Sequence, residues 1–279
     1  MEQQERKELQ KIACQLRLDV LEQVYTAQSG HPGGALSSAE LLTWLYWKEL
    51  RVDPSEPKKA DRDRFVLSKG HSSPGLYAAL CRRGYFDPAL LKEFRASGSV
   101  LQGHPDMKKC PGIDISTGSL GQGLACGVGM AIAAKLDGRD YRVFVAVGDG
   151  ECNEGEIWEA CGTAYKYKCD NLIVFVDYNN LQLDGTCDEI MPPVDLGNKF
   201  KAFGFDVYEI NGNDMEEMVN ALDLAVSVKN GRPKCIFGRT VKGNGVSYME
   251  NQVGWHGTAP NKEQYEQAMA ELGQQYVEC

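Results

Sequence analysis

Two apolar, β-branched-rich runs, Val143–Val147 and Leu172–Val176, stand out along the chain. Continuous apolar runs of this length predict strands buried on both faces of a parallel sheet. Each run ends abruptly in polar residues, Gly148-Asp149-Gly150 after the first and Asp177-Tyr178-Asn179-Asn180 after the second. Between them Glu154–Tyr167 is compatible with a helix, so the stretch predicts a β-α-β unit with a right-handed crossover. Upstream, residues 4–28 predict a long helix whose apolar face carries Ile12, Leu16, Leu18, Leu21 and Val24. Glycine and proline between Gln28 and Gly34 stop it. Ser37-Ser38-Ala39-Glu40 has the form of a capping box ahead of a helix that opens with Leu41–Tyr46. A polar loop over 53–63, a short strand Arg64–Leu67 and helices over 76–82 and 88–96 follow, then an aperiodic stretch from Gly98 to Gly118 and a small-residue helix over 120–136. Downstream the pattern predicts a helix over 195–203, a strand over 206–210, a helix over 214–228, a strand over 234–238 and a closing helix over 262–272. This alternation, with no repeat or linker, predicts α/β architecture: one doubly wound, mostly parallel sheet with helices on both faces, residues 1–279 forming a single domain.

Composition narrows the function classes. A hydrophobic share of 43% with 25% charged residues is that of a globular protein with a core to bury. No apolar run is long enough for a membrane span, and the charged MEQQERKELQ start is not a secretory signal. A net charge of −9 with no basic stripe argues against nucleic acid. The ten cysteines include no C-x-x-C pair, and Cys14, Cys81 and Cys126 fall within predicted helices, where cysteine acts as a small hydrophobe. Reduced thiols and a cytoplasmic location are the expectation.

The candidate chemistry sits where the strands end. Ligands of open parallel sheets bind beyond the carboxyl ends of the strands. Asp149 and Asn179 should therefore lie side by side there as oxygen ligands for a hard divalent cation, Mg²⁺ or Ca²⁺, with no positive side chain near them in sequence. The four histidines all stand beside glycine: His31 and His104 in Gly-His-Pro, His71 in Lys-Gly-His, His256 in Trp-His-Gly. Glycine permits close approach to a ligand, and imidazole exchanges protons near neutral pH. Gly121-Gln122-Gly123 reaches Cys126 instead of a third glycine and follows no strand, which excludes a dinucleotide fingerprint. The glycines of that helix would serve close packing on the sheet or on a second subunit.

Seven segments follow one another as in transketolases: QSGHPGGALSSAELL, LSKGHSSPGLYA, QGHPD, STGSLGQGL, GDGECNEGEIWEA, VDYNNLQLDG and KGNGVSYMENQVGWHG. They cover nearly the whole chain, which thus resembles the diphosphate-binding, N-terminal half of that family. The GDG…NN pair is similar to the family's thiamine diphosphate (ThDP) motif. The resemblance implies Asp149, Asn179 and the Leu181 carbonyl as ligands of Mg²⁺ (Ca²⁺ or Mn²⁺ as substitutes). It implies His71, Gly150 and the Gly118-Ser119-Leu120 turn as ThDP contacts, and His31, His104 and His256 as groups facing substrate oxygens, His256 also near the diphosphate. Glu154 matches a position that links the two cofactor sites across a subunit interface. Ser119 departs from the proline common there, a change that backbone contacts survive, and Tyr178 replaces a residue that is often acidic and bears no ligand role.

The resemblance also implies what else is needed. The family's pyrimidine-binding and C-terminal domains, with the glutamate that activates the cofactor, have no matching segment here. The expectation is one subunit of a split transketolase, two copies each of this chain and a second polypeptide, moving a two-carbon ketol unit from a ketose phosphate to an aldose. Its place would be the pentose phosphate pathway or the catabolism of an unusual sugar phosphate. A ThDP-dependent keto-acid dehydrogenase or ketose-phosphate synthase, which share GDG…NN, and a non-catalytic ThDP-binding subunit stay open as alternatives.

Overall fold

The computed structural model describes residues 1–279. Five strands, β1 (Arg64–Leu67), β2 (Val143–Gly148), β3 (Leu172–Tyr178), β4 (Asp206–Asn211) and β5 (Lys234–Arg239), form one sheet in the order β1-β2-β3-β5-β4. Every neighbouring pair is parallel. Successive side chains of a strand point to opposite faces. Phe144, Ala146, Ile173, Phe175 and Ile236 accordingly enter one core, while Val143, Val145, Val147, Val174 and Val176 enter the other. The first face is covered by α1 (Gln3–Ala27), α3 (Ala39–Trp44), α4 (Ser73–Arg82) and α9 (Met215–Ser227). The second is covered by α5 (Gln122–Leu136), α6 (Gly155–Lys166) and α8 (Leu196–Ala202). The closing helix α10 (Lys262–Glu278) packs outside α1, burying Ala268 and Leu272 against Val20 and Leu21. The doubly wound parallel sheet expected from the apolar runs is the observed one. The arrangement carries the ends of β1, β2, β3 and β5 to one rim.

Several local expectations are corrected. Gly and Pro after α1 do not exclude helix: Pro32–Leu36 forms the short α2, with Pro32 at its start, where a missing N–H costs nothing. The capping box at Ser37–Glu40 does not form. Ser38 precedes α3 without a side-chain cap, Ser37 Oγ donates to Asp177 at 2.7 Å, and Glu40 accepts from Arg17 at 2.6 and 2.7 Å. Burial has given Ser37 and Glu40 distant partners instead of each other, while the Ser37 and Ser38 hydroxyls also donate back to Gly34 O at 3.1 and 2.9 Å. The helix over 88–96 is a 3₁₀ turn, Pro88–Glu93, that ends before Arg95 takes a positive φ of 62°. The helix starting at Ala39 passes into a π-turn over Leu45–Glu49, and α10 continues to Glu278. All ten cysteines are free thiols; Cys14 and Cys81 are buried as expected, but Cys126 is exposed. No helix is long and apolar enough to cross a membrane.

Candidate active site

The turn after β2 is held by its own acid. Asp149, only 3% exposed, accepts from Gly150 N at 2.7 Å, and through its other oxygen from Asn179 N at 2.9 Å and Asn180 N at 2.5 Å. One carboxylate thus ties the ends of β2 and β3 together, as their strand register requires. Burial first, and the neighbouring Asp177 charge second, push the Asp149 carboxyl up to about 6, against the pull of its N–H donors. Asn179 accepts from Leu181 N at 3.2 Å, and Leu181 lines the same space.

Positive charge that the local sequence does not announce arrives from the segments that follow β1 and β5. Lys69, 3% exposed, donates to Gly34 O at 2.8 Å and Ser38 Oγ at 2.7 Å and forms an ion pair with Asp177. Burial drives the Asp177 carboxyl upward, but Lys69 and the Thr240 and Ser37 hydroxyls outweigh it and hold the pKa below the ordinary value. Lys242, 2% exposed, donates to the Leu181 carbonyl at 2.8 Å, and its Nζ lies 2.6 Å from His256 Nδ1. Burial lowers the Lys242 ammonium to about 8.

His31, His71 and His256 are in mutual contact, with ring centroids 5.2 to 5.5 Å apart. Burial dominates each: His31 is lowered to about 4, His71 to about 2 and His256 to about 3, with the Lys69 and Lys242 charges adding to the effect. All three are neutral at pH 7, so each offers one donor and one acceptor. With Lys242 donating to its Nδ1, His256 carries its proton on Nε2.

These groups line one cavity of about 480 Å³, together with Gly118, Leu120, Gly150 and Glu154. Two expected residues lie outside its wall. Ser119 is exposed, and His104 lines an adjoining depression with Lys108 and Lys109, packed so closely on Gly118 that a Cβ there would lie 3.0 Å from its ring. Sequence reasoning missed Lys69, Lys242 and Glu151. Buried Glu151 accepts from Ser68, from Gly121 N at 2.9 Å and from Gly148 N at 3.0 Å, fastening the turn before α5 to the end of β2. Only their adjacency to the histidine and glycine motifs signalled them.

The wall suits a metal diphosphate. One carboxylate, one amide and one carbonyl are too few for an all-protein cage, and no group of three His, Cys, Asp or Glu side chains is placed to hold a metal by itself. Such a partial oxygen set fits Mg²⁺, which completes its octahedron with phosphate and water. His31 Nδ1 and Gln182 Nε2, both in residues of the wall, are buried polar atoms without a protein partner. Unpaired polar atoms of this kind suit a polar ligand.

Known proteins resemble this chain over most of its length. The family profile "Transketolase, thiamine diphosphate binding domain" matches residues 8–278. The chain is 43% identical to one of the apulose-4-phosphate transketolase subunits, from Phocaeicola vulgatus, over 92% of this chain and 91% of that one. It is 42% identical to a 6-deoxy-6-sulfo-D-fructose transketolase subunit of a Clostridium species, over 95% and 96% respectively. The crystal structure of Campylobacter jejuni transketolase superposes with a TM-score of 0.91 at 35% identity, covering 98% of this chain but only 43% of the other. On sequence, fold and the match over nearly its whole length, this chain belongs to the transketolase family, as a thiamine diphosphate-binding domain.

Proposed function

We propose that residues 1–279 are the diphosphate-binding domain of a ThDP- and Mg²⁺-dependent transketolase made of two kinds of chain. It would transfer a two-carbon ketol unit from a ketose phosphate to an aldose or aldose phosphate. The observation that carries this reading is the meeting of Asp149, Asn179, Leu181, Lys242 and three neutral imidazoles in one cavity at the strand ends. Near full-length coverage of relatives named as transketolase subunits supports a partner chain. We assign that partner the pyrimidine-binding and C-terminal domains, in a two-plus-two assembly within the cytoplasm.

In this reading Asp149, Asn179 and Leu181 O hold the metal, while His71, Gly150 and the Gly118-Ser119-Leu120 backbone meet the cofactor. Lys242 sets its charge against the diphosphate. When bound, ThDP supplies a nucleophilic carbon and an electron sink for the two-carbon fragment. The chain's own residues do the rest. Neutral His31 and His256 can accept a proton from a sugar hydroxyl or donate to a developing alkoxide, and His104 acts from the adjoining depression. Exposed Glu154, at the cavity edge, is available to a neighbouring protomer. The sugar is selected largely by the partner; the two relatives' names favour a sugar phosphate or a sulfosugar.

The test is aldose release from ketose phosphate donors by the mixed chains. Turnover that needs both ThDP and Mg²⁺, and stops on chelation, is expected. Decarboxylation of 2-keto acids without ketol transfer would replace this reading with the dehydrogenase one.

A further inference from the structure

The two Gly-His-Pro turns are spanned by a dipeptide that belongs to neither. Phe94, buried, lies under the first: a Cβ on Gly30 would come within 3.1 Å of its ring. Arg95 lies on the second, since a Cβ on Gly103 would stand 2.9 Å from its Nε and 3.0 Å from its Cζ and Nη2. The guanidinium therefore rests on the backbone just before His104, and it also reaches the first turn, donating from Nη1 to Ser29 Oγ at 2.7 Å. Its own backbone is pinned by donation from Arg95 N to Leu101 O at 2.8 Å, with φ at 62°. A left-handed conformation strains a residue with a Cβ, and such strain persists where the surroundings require it.

We propose that Arg95 is a positioning residue for ketol transfer, its guanidinium bracing the two Gly-His-Pro turns so that His31 and His104 keep a set spacing and orientation. This rests on the reading of the cavity as a transketolase site. Arginine suits the task because its rigid planar fork can meet one turn and donate to the other from fixed positions, whereas lysine offers a compact ammonium on a flexible stem. The charge acts alongside the geometry. His31 faces Arg95, His104, Lys242, His71 and His256; His104 faces Arg95 and shares its depression with Asp106, Lys108 and Lys109. Burial first, and Arg95 next, lowers both imidazoles, so each rests in the form that accepts a proton.

The experiment titrates the four histidines of the full chain by NMR with ¹³C-labelled imidazole, in the native chain, Arg95→Gln and Arg95→Lys. Removing the charge should raise the midpoints of His31 and His104 and leave His71 and His256 in place; Arg95→Lys should restore them. In the assembled enzyme both variants should lose about tenfold or more in kcat/KM, with Mg²⁺-ThDP affinity and Tm unchanged. Unmoved midpoints in Arg95→Gln, native kcat/KM in Arg95→Lys, or activity that falls only in step with ThDP affinity would each overturn the proposal. The titration needs no turnover, so a failure of the transketolase reading itself would show separately, as an inactive native enzyme whose histidines still respond to Arg95.

Discussion

At the scale of single residues the site is a balance of buried charges. Asp149 and Asp177 face Lys69 and Lys242; burial sets the direction at Asp149 and Lys242, whereas at Asp177 the neighbours, Lys69 foremost, outweigh it. Replacing Lys242 with methionine removes a charged donor, worth about 1.5–3 kcal/mol, so Mg²⁺-ThDP affinity should fall about 10- to 100-fold by calorimetry. The same change removes a cation that lowers His256, so its titration midpoint should rise; an unmoved midpoint would contradict the contact. Asp149→Asn should weaken Mg²⁺-ThDP by more than about 100-fold, since even supporting groups around a metal cost 10–100-fold. Native affinity in that variant would remove Asp149 from the ligand set. Asp149, Asn179 and the histidines were legible because glycine and the ends of apolar runs mark them. Lys69 and Lys242 were not: the partners that bury them, Asp177 and Leu181, lie far away in sequence and meet only through the sheet.

Elements set the distances between those residues. The small-residue helix α5 left two readings open, packing on the sheet or on a second copy, and its glycines divide. A Cβ on Gly123 would lie 2.7 Å from Ser68 Cα, and one on Gly127 would lie 2.5 Å from Val145, whereas Gly129 faces open space. The first two bring the helix hard against β1 and β2. Gly123→Ala must therefore push Ser68 and its neighbour Lys69 aside, a strain of about 1–3 kcal/mol measurable as a lower urea midpoint. An unchanged midpoint would mean the helix can shift freely. All five strands were legible to within a residue or two, because buried parallel strands carry long apolar runs. The strand order was not, since adjacency of β3 to β5 depends on which face each crossover covers. The capping box at Ser37 failed for a related reason: a local motif lost its residues to Asp177 and Arg17 once the core closed.

For the whole molecule, the cavity ties stability to pH. The His31, His71 and His256 pKa values are all below 6.5, so above that pH their neutral burial is fully favourable. As pH falls below 6.5 the unfolded chain takes up protons that the folded one refuses, and stability is lost through about pH 4, the His31 value. Asp149, raised to about 6, works the other way over part of that range, as do the Glu151 and Asp114 carboxyls that burial raises, while His104 adds to the side of the imidazoles. The urea midpoint should be lower at pH 5 than at pH 7.5; equal midpoints would mean that the imidazoles are charged in the fold. The most direct test of the central claim is two-carbon transfer from a ketose phosphate to an aldose, with ThDP and Mg²⁺, by this chain alone and by this chain mixed with its partner. The account predicts turnover in the mixture and none from either chain alone. Full turnover by residues 1–279 without a partner would contradict it.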